Sequence, residues 1–264
     1  MRKGYFLLLL FFIIALCSCA TIPPVEKPPA VGKVPSKETV PAYRKTTIHE
    51  VGPGETAWRI SKMYDVPIGE IVKANNLRDA SKIKMGQKLV IPNATSASPV
   101  IALYPNKKWK YIIIHHSATD IGSALSIHHG HERRGFIEGL GYHFLIDNGT
   151  LGKADGQIET SPRWTKQQNG AHCKAGEMNY KAIGICVVGN LNQEKLTKKQ
   201  MDSLVALVNT LRKYYHIPIK NIIGHGEVKG AKTECPGRLF PEKEFYKRLK
   251  RDTQTLESVR GRIG

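Results

Sequence analysis

The pattern of hydrophobic and polar positions changes several times along the chain. Near its start, two basic residues precede an unbroken apolar run from Phe6 to Leu16, which is too short to span a bilayer as a helix. This order is typical of a secretory signal peptide, predicted here over residues 1–18. Residues 21–42 contain six prolines and almost no large apolar side chains, which predicts an extended tether without a core.

A short amphipathic pattern occupies residues 47–92. A β-branched segment at its beginning and Lys88–Ile91 at its end are predicted strands. Between them, Thr56 can cap a helix whose apolar positions recur three and four residues apart, and Pro67 can open a second helix. The pattern predicts a small βααβ domain.

The longest part of the chain, residues 109–240, combines buried strands with helices. Continuous apolar runs at 110–114 and 182–189 are typical of strands buried on both faces. The turn signal Asp147-Asn148-Gly149 predicts a hairpin whose second strand is 150–153. Residues 197–214 carry one apolar stripe, as an amphipathic helix does. We therefore expect an α/β domain with a mixed central sheet flanked by helices.

Together these patterns predict six segments, of which the last is a basic surface helix or tail. In chain order they are the signal peptide (1–18), the tether (19–46), the βααβ domain (47–92), a linker (93–108), the α/β domain (109–240) and the C-terminal segment (241–264).

The charge balance narrows the choice of partners. Lys and Arg number 40 against 22 Asp and Glu, a formal net charge of +18 at pH 7, which favours anionic polymers or surfaces. The excess is spread over the chain without a dense basic block, so a nucleic-acid-binding arm is disfavoured. A hydrophobic content of 41% and a charged content of 23% exclude wholesale disorder.

Three residues of the α/β domain are candidate metal ligands. The strand 110–114 runs into His115, a later short strand delivers His225, and Cys235 follows in a loop. Neutral imidazoles and a thiolate are ligands that zinc takes, and three protein ligands leave a fourth position for water. The residues alone leave open a second interpretation, in which one histidine is structural and the cysteine is a free thiol.

Several other residues have two interpretations each. Cys173 and Cys186 could form a disulfide or remain free buried thiols. The histidines within 128–131 could bind a second metal, but a solvated or groove-lining helix face is favoured because no carboxylate or cysteine completes the set. Trp164 lies in a polar stretch and is a candidate for stacking on a sugar.

The residues at the end of the N-terminal apolar run form a recognisable motif. Leu16-Cys17-Ser18-Cys19-Ala20 resembles the lipobox of bacterial lipoproteins, which implies that Cys19 becomes the lipidated N-terminus. Several acyl chains on one cysteine give stable membrane anchoring. Ala20 after the cysteine implies, by the same resemblance, an exported protein held at the outer membrane and facing the periplasm.

Within residues 47–92 the chain reads HEVGPGETAWRISKMYDVPIGEIVKANNL, followed by IKMGQKLVIP. This segment resembles a LysM module over its full length. The resemblance implies binding of N-acetylglucosamine-containing glycans in a groove between two loops. By position, the groove residues here are Gly54, Glu55, Thr56, Asn76 and Leu77. The alternative is a βααβ fold that binds nothing detectable, because a fold does not guarantee a function.

Four blocks of sequence stand out between residues 109 and 239. They are YIIIHHSAT, GLGYHFLIDNGT, GAHCKAGEMNYKAIGICVVGN and IIGHGEVKGAKTECPGR. In this order they resemble the zinc-dependent N-acetylmuramoyl-L-alanine amidases, the family of phage lysozyme-type amidases and peptidoglycan recognition proteins. The resemblance implies that His115, His225 and Cys235 bind Zn²⁺.

The same resemblance implies roles for three more residues. Tyr142 matches the active-site tyrosine, expected to hydrogen-bond the developing oxyanion. Thr233 stands where some relatives carry lysine, so its role would be hydrogen bonding, since threonine carries no charge. His172 matches a substrate-side histidine. Some relatives have a glutamate in the strand around 183–188, which this chain lacks.

The implied function is a peptidoglycan hydrolase that cleaves the amide between N-acetylmuramic acid and L-alanine through a zinc-activated water. Glycan would bind through the LysM module and stem peptide through the amidase groove, with membrane contact through the lipid anchor and the protein as a monomer. An alternative is a catalytically silent peptidoglycan-binding lipoprotein that tethers membrane to wall. Nucleic acid is not an expected partner, because the export signal and the diffuse charge argue against it.

Overall fold

The computed structural model describes residues 43–260. The predicted signal peptide, Cys19 and nearly all of the tether lie outside these residues. Among the described helices, none combines the length and the apolar character needed to cross a membrane.

The N-terminal module consists of β1 (Lys45–Glu50), α1 (Ala57–Tyr64), α2 (Ile68–Ala74) and β2 (Lys88–Ala94). The two strands pair antiparallel, and the helices cover one face of the pair. The hydroxyl oxygen of Thr56 accepts a hydrogen bond from the backbone N–H of Arg59, which caps α1 as its sequence predicts. The βααβ order is confirmed.

A five-stranded mixed sheet forms the second unit. Its strands are β3 (Tyr111–His116), β4 (Phe144–Asn148), β5 (Asp155–Thr160), β6 (Ala182–Val187) and β7 (Ile222–Gly224). They lie in the order β5-β4-β6-β3-β7, and only the β4–β5 pair is antiparallel. Every residue of β3 and β6 is buried or half-buried, which explains why both strands are continuous apolar runs in the sequence.

Helices flank the sheet. They are α3 (Ala124–Arg133), α4 (Pro162–Thr165), α5 (Met178–Lys181), α6 (Lys198–Tyr214) and α7 (Glu242–Arg260). The apolar stripe of α6 packs on one sheet face and forms the main core with Ile112, Ile114 and Trp109. Thr197 caps α6, and its partner Gln200 completes a reciprocal capping box. The expected mixed sheet flanked by helices is confirmed.

Two predicted elements differ in the structure. The second strand of the hairpin is β5, not 150–153, because Asn148 pairs with Asp155 and the residues between them form the connection. The C-terminal segment is not a free surface helix. Phe245 is 1% exposed and Leu249 is 0% exposed, so α7 contributes to the main core.

The two units contact each other through buried polar groups. A guanidinium nitrogen (Nη2) of Arg59 in α1 donates to the carbonyl of Ile158 in β5 at 2.7 Å. The ammonium of Lys153 donates to the carbonyl of Glu50 at 3.1 Å. The predicted linker also takes part, because Val100 joins the core of the module while Ile101 joins the main core.

Candidate metal centre and its cleft

Two parallel strands bring the candidate histidines together. β3 and β7 are neighbours, and Ile114 pairs with Gly224, so the next residue of each strand lies at the same sheet edge. Those residues are His115 and His225, whose ring centroids are 4.7 Å apart. The alternation of side chains along β3 sends only one histidine of the His115–His116 pair to this face.

A loop closes onto the strand ends and delivers Cys235. The backbone N–H of Gly226 donates to the carbonyl of Cys235 at 2.6 Å. A Cβ atom on Gly226 would lie 2.6 Å from the carbonyl oxygen of Thr233, so this approach requires glycine. The Thr233 hydroxyl is exposed and accepts a hydrogen bond from the N–H of Cys235 at 3.1 Å, which shapes the loop.

The donor set suits zinc in chemistry and in spacing. The ligand atoms of His115, His225 and Cys235 all lie within 4.8 Å of one another. The Nδ1 atom of His115 is 3.6 Å from the sulfur of Cys235. Bond lengths of about 2.05 Å to nitrogen and about 2.3 Å to sulfur in a tetrahedral site place these atoms about 3.6 Å apart. These three residues could therefore hold a metal ion.

His172 fixes the tautomer of His115. Its Nε2 atom lies 3.3 Å from the carbonyl of Ala182, which can only accept, so Nε2 carries the proton. Its Nδ1 atom is then an acceptor, and it lies 3.0 Å from Nε2 of His115. His115 consequently donates from Nε2 and presents a lone pair at Nδ1, facing Cys235. His172 thus lies buried behind a candidate ligand, which corrects the expected substrate-side position.

The protonation states of the ligands are set mainly by burial. Burial, together with the charges of His172, His225 and His116, holds the pKa of His115 well below its usual value, so the ring is neutral. Burial lowers the pKa of His225 in the same direction. The pKa of the Cys235 thiol is raised by burial to about 11, although the backbone N–H of His116 acts in the opposite direction. A cation is what would favour its thiolate.

Tyr142 lies beside the candidate ligands. Its ring centroid lies 5.0 Å from that of His115. Burial raises the pKa of Tyr142 well above its usual value, with the neighbouring Cys186 and Cys235 adding to the shift. The phenol therefore keeps its proton and can donate a hydrogen bond, and the Cys186 side chain is its partner in this structure.

The α3 histidines His128 and His131 accept hydrogen bonds from the backbone that precedes Tyr142. Nδ1 of His128 accepts from the N–H of Leu140 at 3.2 Å, and Nδ1 of His131 accepts from the N–H of Gly141 at 3.0 Å. Their spacing in the sequence indicates a shared helix face, but it does not reveal that backbone groups are their partners. Within the described residues, His115, His225 and Cys235 are the one group whose ligand atoms converge.

Two sequence-based alternatives are decided by burial. Trp164 is 1% exposed, its ring packs against Phe144 at a centroid distance of 4.5 Å, and its indole N–H donates to the carbonyl of Ala102 at 2.8 Å. No exposed face remains for a sugar ring, so the predicted stacking role of Trp164 is wrong. Cys173 and Cys186 are both buried free thiols, not a disulfide.

The predicted glycan-groove residues are in different environments. Glu55 is buried: its carboxylate accepts from Gly52 N–H and Arg59 and lies 2.7 Å from His49, so it serves the module itself. Thr56 and Asn76 are exposed, whereas Leu77 packs against the module core. Gly54 faces Pro162 of the second unit, 3.1 Å from where its Cβ would stand.

Comparison with known proteins identifies both units. The family model described as N-acetylmuramoyl-L-alanine amidase matches residues 105–238, and the LysM domain model matches residues 49–92. Peptidoglycan-recognition protein 2 from Holotrichia diomphalia is 32% identical over 108 residues, which is 38% of this chain and 52% of that protein. The probable endopeptidase p60 of Listeria monocytogenes is 39% identical over 72 residues, 27% of this chain and 15% of that protein.

The chain thus spans about half the length of the first curated relative and less of the second. Among solved structures, the N-acetylmuramoyl-L-alanine amidase LysC from Clostridium intestinale is 34% identical with a TM-score of 0.46, covering 54% of this chain and 86% of that one. Drosophila PGRP-LB is 28% identical with a TM-score of 0.41, covering 52% and 80%. Because the first family model matches about half of the chain, this protein belongs to the N-acetylmuramoyl-L-alanine amidase family and carries a LysM domain before its amidase domain.

Proposed function

We propose that the chain is a zinc-dependent peptidoglycan hydrolase that cleaves the amide bond between N-acetylmuramic acid and the L-alanine of the stem peptide. The observation that carries the proposal is the convergence of His115, His225 and Cys235 with a spacing that suits a tetrahedral cation. The matching family description and the name of the peptidoglycan-recognition relative support the choice of substrate.

Zinc, when bound, supplies Lewis-acid chemistry: it polarises an amide carbonyl and lowers the pKa of water to about 7. The residues of the chain prepare the cleft for it. His172 holds His115 with the Nδ1 lone pair directed at the ligand position, and the N–H of His116 favours the thiolate of Cys235. The protonated phenol of Tyr142 donates a hydrogen bond to a substrate oxygen that gains negative charge.

The remaining parts of the chain have supporting roles in this proposal. Thr233 shapes the loop that carries Cys235, and its hydroxyl, which accepts from the N–H of Cys235, can still donate a hydrogen bond to substrate. The LysM domain holds the glycan strand near the cleft, and a lipidated Cys19 anchors the exported protein at the membrane that faces the wall.

The test measures peptide release from purified sacculi. We expect stem peptides with a free L-alanine amino group, detected by mass spectrometry, from untreated protein and none after removal of metal by a chelator. Cys235→Ala should lower the release at least 100-fold, because it removes a ligand. Cys173→Ala is the matched control: it removes another buried cysteine that is outside the ligand group and should retain activity.

Two outcomes would contradict the proposal. Full release by chelated protein or by folded Cys235→Ala would refute the metal assignment. Binding to sacculi without any release by the zinc-loaded protein would instead make the chain a peptidoglycan-binding protein.

A further inference from the structure

Cys186 lies in β6, on the sheet face that carries the candidate metal centre. It is in register with His115 of β3 and with Leu145 of β4, and residues in register on neighbouring strands point to the same face. Gly184, two residues earlier, is on that face as well and is covered by the ring of His172. Cys186 is 0% exposed and lies nearer than Gly184 to the sheet edge where the candidate ligands lie.

The Tyr142 side chain contacts Cys186 on this face. The hydroxyl group of Tyr142 and the side chain of Cys186 form a hydrogen bond. The Tyr142 ring centroid is 5.0 Å from that of His115 and 5.6 Å from that of His131. Packing therefore fixes the ring, and the thiol acts on the hydroxyl group itself. The ring packs against a cluster of buried residues, which are Ala124, Leu140, Leu145, Cys186 and Val188.

The sulfur of Cys186 is a neutral thiol. Burial raises the pKa of Cys186 well above its usual value, and the charges of Cys235 and Asp147 add to the shift. The hydrogen bond with Tyr142 acts in the opposite direction. A thiolate is the form of cysteine that attacks substrates and binds metals, and Cys186 is outside the converging ligand group of the described residues. What remains to the thiol is weak hydrogen bonding, both as a donor and as an acceptor.

A neutral thiol permits two arrangements with the phenol. In the first, the O–H of Tyr142 donates to the sulfur, and the thiol hydrogen points to the carbonyl oxygen of Val187, 3.7 Å from the sulfur. In the second, rotation about the Cβ–Sγ bond of Cys186 lets the thiol donate to the Tyr142 oxygen, so that the phenol hydrogen is free for another acceptor. Because sulfur is a weak acceptor, an oxygen that gains negative charge competes successfully for that hydrogen.

We propose that Cys186 is a positioning residue for Tyr142: it holds the hydroxyl group beside the candidate metal centre and donates to the phenol oxygen while the phenol donates to substrate. The inference rests on the proposed function, because it directs the phenol hydrogen to the amide oxygen of the peptidoglycan substrate. No covalent bond forms or breaks at Cys186, and only the direction of the hydrogen bond reverses. The thiol acts through Tyr142 and does not touch the substrate.

Steady-state kinetics of the zinc-loaded full chain on soluble muropeptides tests this role. Cys186→Val removes the hydrogen bond at nearly constant volume and should lower kcat about tenfold with KM unchanged, because only the state with developing charge loses stabilisation. Cys186→Ser keeps a donor and an acceptor and should retain most of kcat. Zinc affinity should stay at the wild-type value in both variants, since Cys186 is outside the ligand group.

The valine variant should fold, because a buried cysteine behaves as a small apolar residue and β-branched side chains suit strands. Cys186→Ala is the second variant, which loses the hydrogen bond without adding bulk and should show the same tenfold fall in kcat. Cys173→Val is the matched control: it makes the same substitution at another buried cysteine, in a separate cluster with Met178 and Val228, and should leave kcat unchanged.

A double-mutant cycle with Tyr142→Phe shows whether the thiol acts through the phenol. Removal of the hydroxyl group should lower kcat about 100-fold, as loss of one donor to a developing oxyanion does. In that background Cys186→Val should have no further effect on kcat, because the group on which the thiol acts is absent.

The S–H stretching band in the infrared spectrum gives a readout that needs neither metal nor catalysis. Cys186→Val identifies the Cys186 band of the metal-free full chain by its loss. Tyr142→Phe should shift that band, because the thiol loses its partner. The band of Cys173, whose sulfur is 3.7 Å from the carbonyl oxygen of Ala175, should stay in place.

Each contrary result has a distinct meaning. An unshifted Cys186 band in Tyr142→Phe overturns the inference, as does wild-type kcat in folded Cys186→Val and Cys186→Ala. A tenfold fall in kcat that persists in the Tyr142→Phe background overturns it too, because the thiol would then act elsewhere. Absence of peptide release by the zinc-loaded wild type, with a shifted band, defeats the proposed hydrolase and supports the hydrogen bond that holds Tyr142.

Discussion

Gly184 allows His172 to occupy its position behind the candidate metal centre, and Gly184→Ala is the sharpest test of that arrangement. Gly184 lies in β6, and a Cβ atom there would be 2.4 Å from Cδ2 and 2.6 Å from Cγ of the His172 ring. Ordinary van der Waals contact begins near 3.4 Å, so the ring must move by about 1 Å. Its hydrogen bonds to His115 and Ala182, at 3.0 and 3.3 Å, cannot both keep their geometry.

The expected consequence is weaker zinc binding by a folded protein. Loss of a hydrogen bond behind a metal-binding histidine lowers metal affinity about 10- to 100-fold. Crowding of a packed interior costs about 1–3 kcal/mol of unfolding free energy in addition. Zinc affinity is measured by competition with a chromophoric chelator, and stability by urea unfolding of the metal-free protein. Gly69→Ala is the control, because nothing lies within 4 Å of its added Cβ in α2.

A double-mutant cycle separates the ring displacement from other effects of the methyl group. When His172→Ala removes the ring, the added Cβ at position 184 loses its close neighbour, so Gly184→Ala should have little further effect on zinc affinity. Unchanged zinc affinity in folded Gly184→Ala would refute the reasoning. An equal penalty in the presence and in the absence of the ring would refute it too.

Two further predictions concern stability. Burial by itself would raise the pKa of Glu55, but the His49 hydrogen bond, the Arg59 and His49 charges and the Gly52 N–H lower it to about 2. Because the folded-state pKa lies below the usual 4.5, wild-type protein should lose roughly 3 kcal/mol as the pH falls from about 5 to about 2. Glu55→Gln should lack that part of the pH dependence in urea unfolding, and a wild-type slope in the variant would contradict the assignment. Leu249→Ala should cost about 2–5 kcal/mol, because the side chain is 0% exposed in the main core, and a loss below about 0.5 kcal/mol would show that α7 is dispensable.

Local elements were predictable wherever one segment carries its own signal. The helix behind Thr197 shows both a cap and an apolar stripe, and the structure reproduces it as α6. The buried runs around 110–114 and 182–189 became β3 and β6 for the same reason, since a strand covered on both faces needs apolar side chains throughout. The candidate ligands followed from residue type at strand ends, and the family resemblance selected among them.

Features that depend on a distant partner were predicted wrongly or not at all. The strong Asn-Gly turn signal suggested a tight hairpin, but pairing of Asn148 with Asp155 moved the second strand to β5. Trp164 lies in a polar stretch of the sequence, but its side chain is buried in the main core. His172 was expected near the substrate, although its ring nitrogens are taken by His115 and Ala182, one of which is 57 residues away.

The sequence by itself indicated the βααβ order of the first module, the strands β3 and β6, the helix α6 and, with the family resemblance, the three residues that could hold a metal ion. Periodicity, capping and residue chemistry act over a few neighbouring positions, so they can be read along the chain. Only the tertiary structure decided that the Nδ1 lone pair of His115 faces Cys235, which aromatic side chains are buried, and which polar groups join the two domains. Those features arise from burial and hydrogen bonds between groups far apart in sequence, which no local pattern encodes.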